Sequence, residues 1–129
     1  MSANEDTVRR GYEAFGKGDM DTLRSIMTPD VVQSVPGNSR ISGEYKGIDS
    51  VLGYYGKLFE LTGGNFKADL QSATDEGTDK VVAVHQITGQ RGGKTYDHAE
   101  SLNFTFTGGK ISRLDEVHAD QAEFDDFWG

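Results

Sequence analysis

The apolar residues of this chain recur about every 3.6 positions as far as Gly63-Gly64 and every second position beyond it, so helices come first and strands afterwards. That order leaves no alternating strand-helix-strand units. It predicts an α+β fold, with helices laid against one side of a bent antiparallel sheet. Over residues 5–16, Val8, Tyr12 and Phe15 share one helical face, and Gly11 weakens the turn while letting another element come close. Asp19 can cap a second helix, whose apolar face is Leu23, Ile26 and Met27 and whose continuation Pro29 disfavours. A short strand is expected over residues 31–35, then an irregular crossing, PGNSRISGEYKG. The third helix, IDSVLGYYGKLFEL, carries Val51, Leu52, Tyr55, Leu58 and Phe59 along one broad side and stops at the paired glycines. Beyond them FKADLQSA, KVVAVHQIT, TYDHAESLNFTFT and KISRLDEVHA read as a meander. The closing DQAEFDDFW places Phe124, Phe127 and Trp128 on one helical face, as a lid or edge cover.

Composition narrows the chemistry. At 129 residues the chain makes one domain, residues 1–129. It has no cysteine, which excludes thiolate nucleophiles and Cys-built metal sites. Thirteen basic against 21 acidic residues give a net charge of -8 and disfavour nucleic acid as a partner. The polar N-terminus and the lack of an 18-residue apolar run point to a cytoplasmic protein with no membrane partner. Its 3 histidines are dispersed without an HExxH or calcium-loop pattern, and GKGD, SGEYKG and RGGK lack the setting of a nucleotide loop. Neither a metal nor an organic cofactor is expected.

The last hairpin carries the chemical question. A two-residue turn at Gly108-Gly109 would set Phe106 opposite Ile111 and Ser101 opposite Glu116. One side then holds Leu102, Phe104, Phe106, Ile111, Arg113, Asp115 and Val117. The other holds Asp97, Ser101, Asn103, Thr105, Ser112, Leu114, Glu116 and His118. Two readings fit: the small polar side faces water, with Glu116 and His118 ordinary surface groups, or it floors a cavity in which Glu116 moves a proton and His118 polarises an oxygen. A bulge would reverse the faces for part of the set. Tyr12, Tyr54, Tyr55 and Tyr96 are possible pocket hydroxyls, with Tyr55 best placed to meet the sheet, while His85 is read as a core or pocket-wall histidine and Asp97 as a rim group within diagonal reach of His118. On residues 81–87, Val81, Ala83 and Ile87 can meet the helices; Val82 and Val84 give the opposite face apolar character too, which a homodimer, the preferred reading, or cover by the chain's own N- or C-terminal segment would bury.

The stretches VRRGYEAFGKGDMDTLRSIMTPDVV, VPGNSRISGEYKG with IDSVLGYYGKLFELTGG, FTFTGGKI and HADQAEFDDFWG resemble the SnoaL-like group of the nuclear-transport-factor-2-like superfamily, which includes ketosteroid isomerases and polyketide cyclases. The resemblance implies a cone-shaped curved antiparallel sheet wrapped by the N-terminal helices, a hydrophobic cavity, a dimer through the sheet, and acid-base chemistry without a cofactor. It puts Glu116 where cyclase relatives place an acid-base aspartate. Val35 falls near the general-base position of ketosteroid isomerases and cannot take a proton, and Tyr12 lies one position from their oxyanion tyrosine, so a steroid isomerase is disfavoured. Gln33 and Ser34 stand where similar proteins carry an aromatic residue and a histidine, which makes the cavity entrance more polar. The expected function is a cofactor-independent isomerase or cyclase for a small, largely apolar carbonyl compound, with Glu116 as acid-base and His118 or Tyr55 stabilising oxygen charge. The alternative is a non-catalytic binder of a small hydrophobic ligand.

Overall fold

Three of the four helices begin where a side-chain oxygen is available to cap them. In the computed structural model, which describes residues 2–129, Ser2 accepts from the Glu5 N–H to open α1 (Ala3–Lys17). Asp19 accepts from Thr22 to open α2 (Met20–Ile26), and Asp120 from Glu123 to open α4 (Gln121–Trp128). The remaining helix, α3 (Ile48–Leu61), follows Gly47 with no side-chain cap. A Cβ on Gly11 would stand 3.3 Å from Ile26 Cδ1, so the glycine does let α2 approach α1.

The strands β1 (Met27–Val35), β2 (Gly43–Lys46), β3 (Lys67–Asp75), β4 (Lys80–Arg91), β5 (Lys94–Thr107) and β6 (Lys110–Val117) form one curved, unclosed sheet in the order β2-β1-β6-β5-β4-β3. The fold is the α+β cone that the periodicity and the family resemblance imply. Neighbouring strands are antiparallel except β1 and β6, which run parallel. β1 starts upstream of the expected residue 31 and includes Pro29. The proline falls between Met27 and Val32, where the ladder to β6 is interrupted, so its missing N–H breaks no ladder bond. The helices cover the sheet face that carries Val81, Ala83, His85 and Ile87, all buried.

The closing hairpin departs from the simple register. Gly108 and Gly109 both have positive φ, and Thr107 opposes Lys110 and Phe106 opposes Ile111, as the turn requires. The register then slips: Thr105 opposes Arg113, Phe104 opposes Leu114, and Leu102 rather than Ser101 opposes Glu116. The cause is the spacing of apolar residues. Ile111 and Leu114 stand three apart and can share the face of Phe106 and Phe104, two apart, only if Ser112 is extruded as a bulge. Ser112 bonds locally, its hydroxyl donating to Thr105 O at 3.3 Å.

Both readings of the hairpin are therefore corrected in part. The small polar residues of β5 do lie on the outer face, yet Leu114, Glu116 and His118 turn inward with Leu102, Phe104 and Phe106. Val117, expected on the core side, is 49% exposed. Arg113 bonds Asp115 and Glu44 on the outer face. Phe124, Phe127 and Trp128 of α4 are buried as expected. Arg91 Nη1 donates to the carbonyls of Phe127 and Gly129, and Lys94 Nζ to that of Asp126, so cations satisfy the C-terminal end of α4.

Candidate functional site

Helices and sheet enclose a cavity of about 90 Å³, room for several waters or a small organic molecule. Its walls are mainly apolar: Val8, Phe15, Leu58, Phe66, Ile87 and Phe104 are among them. The polar lining is concentrated in Tyr12, Gln33, Tyr54, Tyr55, His85, Glu100, Glu116 and His118, and among the described residues no lysine or arginine contributes.

Glu116 is the centre of this set, since alternation along β6 from Leu114 carries it inward. Its Oε2 accepts from Tyr54 Oη at 2.6 Å and from Gln33 Nε2 at 2.7 Å, and its Oε1 lies 2.8 Å from His118 Nε2. Tyr55 does not touch Glu116. It donates to Gln33 Oε1 at 2.6 Å, which holds the amide nitrogen of Gln33 toward the carboxylate. Gln33 is 2% exposed and the His118 side chain 2%, while the Glu116 side chain keeps 15% of its surface accessible, so the cluster is largely but not wholly withdrawn from bulk water. The other lining groups pair separately. Tyr12 Oη lies 2.7 Å from His85 Nδ1, while Glu100 Oε2 accepts from Tyr96 Oη and from the Ala119 N–H at 3.0 Å.

Burial pushes the phenols of Tyr54, Tyr55 and Tyr12 up, and the Glu116 charge adds to the effect in each, so all three stay neutral donors. The histidines diverge. For His118, burial works to lower the pKa, but the hydrogen bond to Glu116 and the charges of Glu116 and Glu100 outweigh it, and the net direction is upward. For His85 burial prevails and lowers the pKa to about 4. His85 is therefore the neutral pocket-wall histidine the sequence indicates.

The arrangement brings together the three residues singled out from sequence, Glu116, His118 and Tyr55, with Tyr55 one hydrogen bond removed. Asp97 does not approach His118; it accepts from Gln86 on the outer face. Sequence reasoning counted Tyr54 among the possible pocket hydroxyls but ranked Tyr55 above it, missed Glu100, and read Gln33 only as a polar substitution. Strand alternation held a signal for two of them, because Glu100 has the parity of Leu102 and Phe104, and Gln33 that of Val31 and Val35. Among the described residues no group of three or more His, Cys, Asp or Glu is placed to hold a metal ion, and no helix is long and apolar enough to cross a membrane.

Comparison with known proteins agrees with this architecture. Residues 8–114 match the SnoaL-like domain family. An uncharacterised protein of Mycobacterium tuberculosis is 35% identical over 126 residues, covering 98% of this chain and 96% of the relative. Among solved structures, Bal32a from a soil-derived mobile gene cassette is 36% identical with a TM-score of 0.95, covering 98% of this chain and 97% of its own. A Xanthomonas campestris protein of unknown function with a cystatin-like fold is 32% identical, with a TM-score of 0.90 and 98% coverage of both chains.

Proposed function

Because the chain belongs to the SnoaL-like domain family, we propose that it is a cofactor-independent acid-base enzyme of the isomerase or cyclase type, acting on a small, largely apolar carbonyl compound. The observation that carries this reading is the state of Glu116. A carboxylate offers about four acceptor sites, and Tyr54, Gln33 and His118 occupy three of them. One site on Oε1 is left, on a group that lines an apolar cavity.

In the proposed reaction Glu116 takes a proton from the carbon beside the carbonyl. The C–H bond breaks, an O–H bond forms on Glu116, and the electron pair moves onto the carbonyl oxygen as an enolate. Returning the proton to a different carbon completes an isomerisation with no net change in atoms or electrons. In a cyclase the same enolate carbon would attack a second carbonyl of the substrate and form a C–C bond, the proton going to the new alkoxide. The neutral Tyr12–His85 pair is the best placed group to stabilise enolate oxygen, because the Tyr55 hydroxyl is committed to Gln33 and His118 to Glu116. With two carboxylates in the lining, no lysine or arginine, and His118 already paired to Glu116, the substrate is uncharged rather than a carboxylate or phosphate.

The test is deuterium exchange and isomerisation of small cyclic ketones by the purified protein and its Glu116→Gln variant. Loss of both activities in the variant supports the reading, and turnover that survives the substitution removes Glu116 as the proton carrier. A non-catalytic binder of a hydrophobic ligand is the second reading, favoured by the saturation of Tyr54, Tyr55 and Gln33 within the protein. It predicts ligand binding without exchange in either form.

We also propose a homodimer through the outer sheet face. The register aligns Val84, Ser101 and Val117 in one row across β4, β5 and β6, next to Val82, so the bulge that turns Glu116 inward also turns an apolar residue outward. Sedimentation velocity over a range of concentrations checks it, and a persistent monomer would reject it.

A further inference from the structure

Gln121, in the first turn of α4, is outside the cavity lining, yet its amide has a single admissible orientation. Its Nε2 lies 3.1 Å from Pro36 O and 3.1 Å from Asp125 Oδ1. Both are acceptors, so both amide hydrogens are committed, and Oε1 is the atom 3.2 Å from His118 Nδ1. An amide oxygen cannot donate. Nδ1 of His118 must therefore carry a hydrogen. The opposite ring nitrogen, Nε2, faces Glu116 Oε1 at 2.8 Å, and that contact needs a proton of its own. The arrangement with both satisfied and Glu116 able to accept is an imidazolium beside a carboxylate.

Independent features hold Gln121 in place. Asp125 Oδ1 also accepts from the Asn38 N–H at 3.0 Å, which ties α4 to the turn after β1. Gly37 in that turn has φ +113, and a Cβ there would overlap Asp125 Oδ1 and Gln121 Nε2, so the approach depends on glycine. The His118 ring lies flat on Phe124 of α4, with centroids 3.6 Å apart and planes at 16°. An imidazolium gains from such a face.

We infer that Gln121 is a positioning residue: clasped by Asp125 and the Pro36–Asn38 turn, it fixes the hydrogen on His118 Nδ1 and so favours the imidazolium facing Glu116, the pairing on which proton acceptance by Glu116 depends. The other titratable groups around the ring act in known directions. Glu116 on β6 and Glu100 on β5 favour the imidazolium, burial of the ring opposes it, the His118 charge in turn lowers the pKa of His85 on β4, and Tyr54 from α3 hydrogen-bonds Glu116. The catalytic consequence rests on the proposed role of Glu116, but the protonation of His118 does not.

The experiment is long-range ¹H–¹⁵N NMR of the imidazole rings in the full, ligand-free chain as a function of pH, with His118 assigned from its loss in His118→Asn. Wild type is expected to show both His118 nitrogens protonated near neutral pH. Gln121→Met should lower the His118 titration midpoint and move the neutral form to the Nε2–H tautomer, while Gln121→Glu, which keeps an acceptor and adds charge, should raise it. Gly37→Ala should shift the midpoint in the same direction as Gln121→Met. A bare Nδ1 in wild type at neutral pH, or one unchanged midpoint across folded Gln121 variants, would overturn the inference. Because this readout needs no turnover, an inactive protein with the expected spectra sinks the enzyme reading and leaves the clasp standing.

Discussion

His118 and His85 look into one cavity from opposite sides of β5, and their proton affinities are driven apart. Each is buried and each is hydrogen-bonded, so burial alone does not separate them. The partner does. His118 meets the carboxylate of Glu116, with Glu100 on the neighbouring strand, whereas His85 meets the phenol of Tyr12, itself held neutral. A carboxylate returns to an imidazolium what desolvation takes away, and a phenol does not. The two sides of the cavity thus differ in charge: one pairs an imidazole with a carboxylate, the other pairs an imidazole with a neutral phenol.

Removing the charge on one side should produce the largest effect. Glu116→Gln is expected to slow proton transfer by roughly 10²–10⁴-fold, read as exchange or isomerisation rate, and to bring the His118 titration down toward that of His85. If His118 titrates as before in that variant, the contrast between the histidines has another origin.

Stability against pH separates them next. The folded pKa of His85 is depressed to about 4, so its contribution is present above the unfolded value near 6.5 and is lost as pH falls toward 4. That interval corresponds to about 3 kcal/mol, and His85→Phe should flatten this acid limb in urea titrations. The folded pKa of His118 is raised, so its contribution is present below the unfolded value and is lost as pH rises through the folded one. His118→Asn should flatten that opposite limb. Identical pH dependence of the two variants would break the comparison.

The tyrosines sharpen it further. Tyr54→Phe removes a hydrogen bond to a charged group and should cost about 2 kcal/mol by chemical denaturation, against about 1 kcal/mol for Tyr55→Phe, whose partner is the neutral Gln33 amide. On the outer face of the same hairpin, Arg113→Ala should change stability by less than about 1 kcal/mol in the same assay. Its ion pairs with Asp115 and Glu44 are open to solvent, which screens them.

Much of the scaffold was legible because its determinants are local. Residues 48–61 announce α3 by apolar spacing and by the glycines that follow, Asp19 caps α2, and the Phe124, Phe127 and Trp128 face marks α4. The site was less so. Glu116 and His118 could be paired from their two-residue spacing, but the direction they face depends on whether Ser112 stays in the ladder. The odd spacing of Ile111 and Leu114 was the available sign that it does not. Tyr54, Gln33 and Glu100 come from three other elements, and nothing in their neighbourhoods along the chain ties them to Glu116.

By itself, then, the order of residues determined the helices, the strands and the class of fold, because periodicity, caps and turn glycines act over a few positions. Only tertiary structure decided which carboxylate meets a histidine, which of the two cavity histidines is pushed up in pKa and which down, and what the Gln121 amide bonds. Those properties are set by desolvation and by partners as much as 85 residues away along the chain, joined through a sheet whose register one extruded serine shifts.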